Sequence, residues 1–151
     1  MVRLLSLGLV VVSAFTSANA LGINCRGSSS CPYIQKGADT AQELANYLSG
    51  VYDHQWYDNG QYIACVEGPA TDAPSVPNYT VCAFFQNSGG GDGARVKELA
   101  GLIPGHGCKT CGAVPYWAPE GNKNVNDGEL RYDGFGFEDP RSVCPGYPGL
   151  C

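Results

Sequence analysis

His106-Gly107-Cys108-Lys109-Thr110-Cys111-Gly112 is the stretch on which the reading of this chain turns. Two cysteines separated by two residues can be a redox pair, half of a zinc site, or two anchors of a disulfide framework. A thioredoxin-like redox pair needs a thiolate of lowered pKa, commonly at a helix N-terminus. Here the pair instead follows a predicted helix through Gly105-His106-Gly107. A structural zinc site needs a second ligand pair at matching spacing, and Cys25 with Cys31, five residues between them, is a poor partner. The disulfide reading depends on the compartment, and the beginning of the chain speaks to that.

Residues 1–20 have the three parts of a secretory signal peptide: Arg3, an apolar run from Leu4 to Phe15, and Ala18-Asn19-Ala20 as a small-x-small cleavage site. A membrane-spanning helix needs about 20 apolar residues, and this run breaks at Thr16-Ser17. The expected mature chain is residues 21–151, one soluble domain by length and large enough for a hydrophobic core. All eight cysteines fall within it: Cys25, Cys31, Cys65, Cys82, Cys108, Cys111, Cys144 and Cys151. An even number in an exported protein implies bridges throughout, with more than a hundred connectivities open to sequence alone.

Charge narrows the partners. The whole chain carries a net charge of −5, and loss of Arg3 leaves the mature chain more negative by a single unit. The remaining Lys and Arg are scattered. Nucleic acid and anionic lipid both call for concentrated positive charge, so neither is an expected partner. No later apolar stretch is long enough to insert stably in a membrane. The expectation is a monomer without metal or cofactor.

Along the mature chain, Thr40-Ala41-Gln42-Glu43 fits a capping box. Leu44, Leu48, Val51 and Tyr52 follow on one stripe, predicting a helix over 40–53. An Asn59-Gly60 turn leads into a strand through Tyr62, Ala64 and Val66. Residues 67–79 form a loop rich in proline, at whose end Asn78-Tyr79-Thr80 is an N-glycosylation sequon. Thr80 to Gln86 is the clearest strand. Val96, Leu99, Ala100, Leu102 and Ile103 predict a second helix over 93–103, stopped by Pro104-Gly105. Further strands are expected from Cys108 to Val114 and at Glu129-Leu130-Arg131-Tyr132, with an irregular tail from Phe135 to Cys151. Two helices and four or five short strands suggest an α+β fold, an α/β sandwich with both helices on one face of a largely antiparallel sheet.

Catalysis finds little support. The chain has two histidines, His54 and His106, and no Gly-x-Ser-x-Gly elbow. His106 reads as a turn residue, and His54 as a favourable charge near a helix C-terminus. Carboxylate pairs such as Asp127 with Glu129, or Glu138 with Asp139, read as solvated surface rather than as a glycosidase pair. Trp56, Tyr57, Tyr116 and Trp117 lie in turn-rich segments, either capping the core or presenting a surface for sugar or protein.

These segments resemble a known family. Leu21-Gly22-Ile23-Asn24-Cys25-Arg26-Gly27-Ser28-Ser29 followed by Cys31 resembles the start of the virally encoded killer toxin of smut fungi, the killer-protein-four type. The central stretch is similar to that family's His-Gly-Cys-x-x-Cys-Gly. Gly60 to Cys65 and Cys82 to Gln86 resemble segments of its cellular fungal homologues. The resemblance implies a secreted sandwich of about five antiparallel strands with two antiparallel helices on it. It also implies bridges Cys25–Cys108 and Cys31–Cys111, with Cys65 joined to Cys144 or Cys151 and Cys82 to a remaining partner. The function implied is non-catalytic inhibition of growth of competing fungi or host cells, at a membrane protein such as a calcium channel. The toxic member is basic and has a lysine two residues before the cysteine matching Cys65. Here that position is Ile63, and Lys36, Lys97, Lys109 and Lys123 are the substitutes, with Lys109 set between two framework cysteines.

Overall fold

The computed structural model describes residues 22–34, 39–68, 79–137 and 139–151. The expected signal peptide, Lys36, the sequon Asn78 and Glu138 lie outside them.

In chain order the elements are α1 (Thr40–Leu48), β1 (Trp56–Tyr57), β2 (Tyr62–Gly68), β3 (Tyr79–Gln86), β4 (Gly91–Asp92) and α2 (Gly93–Ala100). A helical turn α3 (Leu102–Gly105), β5 (Gly112–Pro115), β6 (Glu129–Gly136) and β7 (Gly149–Leu150) complete them. Five strands form one sheet in the order β5-β6-β3-β2-β7, with every pairing antiparallel. A separate two-stranded ribbon pairs β1 with β4. The fold is α+β and braced by disulfides, as its pattern of apolar residues suggests.

Alternation along the strands decides the layers. Val81, Ala83 and Phe85 of β3 and Leu130 and Tyr132 of β6 are fully buried against Leu44 and Leu48 of α1 and Val96 and Leu99 of α2. The Tyr132 phenol donates to the Ala100 carbonyl at 3.0 Å, which fastens α2 to the sheet and satisfies a buried hydroxyl. On the opposite face Cys65, Cys82 and Cys144 form a second cluster with Tyr62, Phe135, Phe137 and Tyr147.

Local chemistry shifts several boundaries. Asp39, not Thr40, is the N-cap of α1, and its side chain makes no capping bond. The Asp39 carboxylate is instead 2.8 Å from Lys109 Nζ, while Thr40 is buried as the first helical residue. The expected helix over 40–53 ends at Leu48. Val51 still packs into the core, but Tyr52 is 83% exposed, so the stripe does not reach it. The expected helix over 93–103 is two pieces divided at Gly101, with Pro104 inside the second rather than beyond it. Asp92 caps α2 by accepting from the Arg95 amide at 2.9 Å. The tail is less irregular than expected, because β7 adds to the open edge of β2.

All eight cysteines are bridged: Cys25–Cys108, Cys31–Cys111, Cys65–Cys82 and Cys144–Cys151. The pairing that the resemblance implied for Cys65 is therefore corrected. Cys65 and Cys82 stand directly opposite each other on adjacent antiparallel strands, where facing side chains are close enough to bond. Cys144 and Cys151 close a short loop of their own. The four sulfurs are neighbours, Cys151 Sγ lying 3.9 Å from Cys65 Sγ.

Candidate functional site

The Cys-x-x-Cys stretch leaves α3 through Gly107, whose φ of +96° is a backbone conformation suited to glycine. The two bridges then clamp the N-terminal arm on either side of the next two residues. Cys108 and Cys111 are buried while Lys109 between them is exposed. Its ion pair with Asp39 leaves both side chains about two-thirds open to solvent, at 66% and 63%. Such a pair contributes little and is easily exchanged for another partner. A cleft of about 340 Å³ beside it is lined by residues including Gly27, Ser28, Pro32, Lys109 and Thr110.

Ile63 contrasts with that lysine. It is 1% exposed, at the irregularity where β2 slips relative to β3 between Tyr62 and Ala64. The other lysines are less open than Lys109 or lie elsewhere: Lys97 pairs with Asp53 at 2.6 Å, and Lys123 lines a cleft with His106, Ile23 and Asn122.

The aromatics divide into exposed and packed members. Trp56 is 54% exposed and its indole donates to Asp58 at 3.0 Å; Trp117 is 45% exposed. Tyr57 and Tyr116 are half-buried against the main core. The β1–β4 ribbon connects them, since Trp56 faces Asp92 and Tyr57 faces Gly91 across it. Arg95 completes this surface. Its guanidinium lies 5.0 Å above the Tyr116 ring and 5.4 Å above that of Trp117, held by Glu120 at 2.6 Å and Glu98 at 2.9 Å. The Arg95 hydrogen bond is the main cause holding the Glu120 carboxyl below its ordinary range. Sequence reading missed Arg95, although its spacing of three from Glu98 is a helix-face pair.

A second group lies on β6, where the surface reading of Glu129 is corrected: it is buried and pairs with Arg131 rather than with Asp127. Glu129, Arg131 and Asp133 alternate onto the face away from the helices. Arg131 donates to Glu129 and to Asp133, each at 2.9 Å. Asp133 Oδ1 also accepts from the Ser28 amide at 2.6 Å, tying the N-terminal arm to the sheet. Burial is the main cause raising the Glu129 carboxyl above its usual range, with Arg131 opposing it. Asp127 is a separate structural anchor that accepts from Asn122 and Asn124. Asp139 caps the turn that follows it.

His54 and His106 are both exposed, and no serine hydroxyl is hydrogen-bonded to either among the described residues. Every cysteine is oxidised, which leaves no thiolate for attack or metal binding. Fold and surface together define a small cystine-braced α+β protein that holds selected polar and aromatic side chains on a fixed frame. The family model for Kp4 matches residues 8–134, and the chain belongs to the Kp4 family as a killer-toxin-like protein. Four bridges fit the exported setting expected of such a protein. No curated protein matches the chain significantly. No helix among the described residues is long and apolar enough to cross a membrane.

Proposed function

We propose that this protein is a secreted, non-catalytic toxin or effector that inhibits growth of competing fungi or of host cells. It acts from outside on a membrane protein, a calcium channel, and reduces calcium uptake. The observation that carries the reading is the Kp4 match over most of the chain. Lys109 is the contact residue: an ammonium group on a turn anchored by a bridge on each side loses little freedom on binding. Ile63, buried in the core, cannot take that role.

The test is growth of fungal cultures and plant roots with purified protein, at low and raised calcium. Inhibition that calcium relieves supports the channel reading. Inhibition unaffected by calcium would redirect it to another surface target. In channel recordings on responsive cells, Lys109→Ala is expected to lower potency about tenfold, the loss of roughly 1.4 kcal/mol of binding.

A further inference from the structure

The structure assigns a second binding site, for a neutral oligosaccharide, in the cleft between the β1–β2 turn and the C-terminal tail. This site is separate from Lys109 and does not depend on growth inhibition. Its volume is about 680 Å³, twice that of the cleft beside Lys109 and within the usual range for ligand pockets. One wall comes from the chain between α1 and β2, carrying Tyr52, Gln55, Tyr57, Gln61 and Tyr62. The facing wall is the tail, represented by Leu150 and its neighbours.

Both walls are fixed before any ligand arrives. β7 pairs with Ala64 and Cys65 of β2, the Cys151 amide donates to the Ile63 carbonyl at 2.9 Å, and the Cys144–Cys151 bridge closes the tail on itself. A preformed cleft spares the ligand an ordering cost. The tail lies beyond residue 134, where the family match ends, so the cleft joins the matched body to a segment outside it.

The lining selects the ligand class. No Asp, Glu, Lys, Arg or His side chain lines the cleft, in a chain with 14 acidic and 9 basic residues. Polyanions and polycations therefore meet no counter-charge there. What the cleft offers is three phenol rings and two carboxamides. A pyranose has an apolar C–H face that lies on an aromatic ring and a rim of hydroxyls that both donate and accept. Each carboxamide is held by one hydrogen bond and keeps its other polar atom for such a rim. Gln55 donates to the Trp56 carbonyl at 3.0 Å, which leaves its Oε1 to accept. Gln61 accepts from the Asp58 amide at 3.0 Å, which leaves its Nε2 to donate. Tyr52, 83% exposed at the rim, supplies the open ring face.

The experiment titrates the disulfide-intact protein with three tetrasaccharides: β-linked N-acetylglucosamine, β-glucan, and anionic galacturonate as the charged control. Backbone amide chemical shifts are the readout. The expected result is saturable shifts with one or both neutral sugars, confined to residues 52–62 and 143–151, and none with galacturonate. Tyr52→Ala should weaken binding about tenfold, or roughly 1.4 kcal/mol. Tyr52→Phe, which keeps the ring, should bind within about twofold of the parent, as stacking requires. No saturable shift with either neutral sugar would overturn the assignment. So would shifts centred on Tyr116 and Trp117, equal binding of galacturonate, or full affinity in Tyr52→Ala.

Discussion

Arg131 stands between two carboxylates whose side chains are only 5% and 9% exposed. Two buried negative charges share one positive charge that is itself only partly buried, and the arrangement holds because each carboxylate receives its own donor. Arg131→Met keeps most of the stem and removes both donors, so Glu129 and Asp133 are left uncompensated. The expected destabilisation is about 3 kcal/mol near neutral pH, read from urea unfolding. The sign with pH follows from burial, which already raises the Glu129 carboxyl and acts unopposed once Arg131 is gone. An acid whose folded pKa exceeds its unfolded one contributes stability in full below the unfolded value, about 4.3 for Glu. That contribution is lost as pH rises through the folded pKa. The deficit of the variant should therefore shrink as pH falls from about 7 toward about 4, the ordinary Glu range. A deficit constant across that window would mean that Arg131 acts through packing alone. The strand alternation that aligns these residues was legible in the sequence. That the N-terminal arm would close over them, with Ser28 donating to Asp133, was not, because the two segments lie 105 residues apart.

Among the elements, those with long apolar periods were read well and those made by distant pairing were not. α1 and α2 show themselves through Leu44, Leu48, Val96 and Leu99, and β3 through its β-branched and aromatic run. The β1–β4 ribbon is two residues on each side and has no local signature. Its place is secured by Gly93, whose amide donates to the Gln55 carbonyl at 2.8 Å. A Cβ there would collide with the Tyr52 carbonyl, and backbone cannot yield as a side chain tip does. Gly93→Ala is expected to cost about 2 kcal/mol, measured as a lower urea midpoint with an unchanged slope. The N-terminal arm rests on a different kind of link. Cys25–Cys108 spans 83 residues, and replacing both by Ser should cost about 4 kcal/mol through the freed unfolded chain. The check is again the unfolding midpoint. A double variant as stable as the parent would show that Cys31–Cys111 and Asp133 hold the arm unaided. The Cys65 pairing was misjudged for a physical reason: four sulfurs meet in one cluster, and strand register, which sequence does not state, chooses among them.

For the molecule as a whole, the decisive quantity is charge. Lys109 was legible as a candidate contact because it falls between two cysteines, whereas the tail-walled cleft depends on how the C-terminal tail packs against β2 and the segment before it. Neither local feature alters the long-range field of a body with a net charge of −5 or lower. A calcium-conducting pore attracts its ion with acidic groups, so if the proposed target is such a channel, a body of this charge would meet its mouth against repulsion even where Lys109 is attracted at contact. Repulsion between exposed charges acts over the Debye length, about 30 Å at 0.01 M salt and about 8 Å at 0.15 M. Raising monovalent salt through that range screens the approach of the whole body more than the contact of one ammonium group. Association with responsive cells should therefore quicken as salt rises, the reverse of a basic blocker, whose approach salt slows. The measurement is the binding rate of fluorescently labelled protein to living cells, with sucrose holding osmolarity constant and calcium fixed. A rate that falls with salt would show that the target presents positive charge to this protein, which excludes the acidic mouth of a calcium channel as the site it approaches.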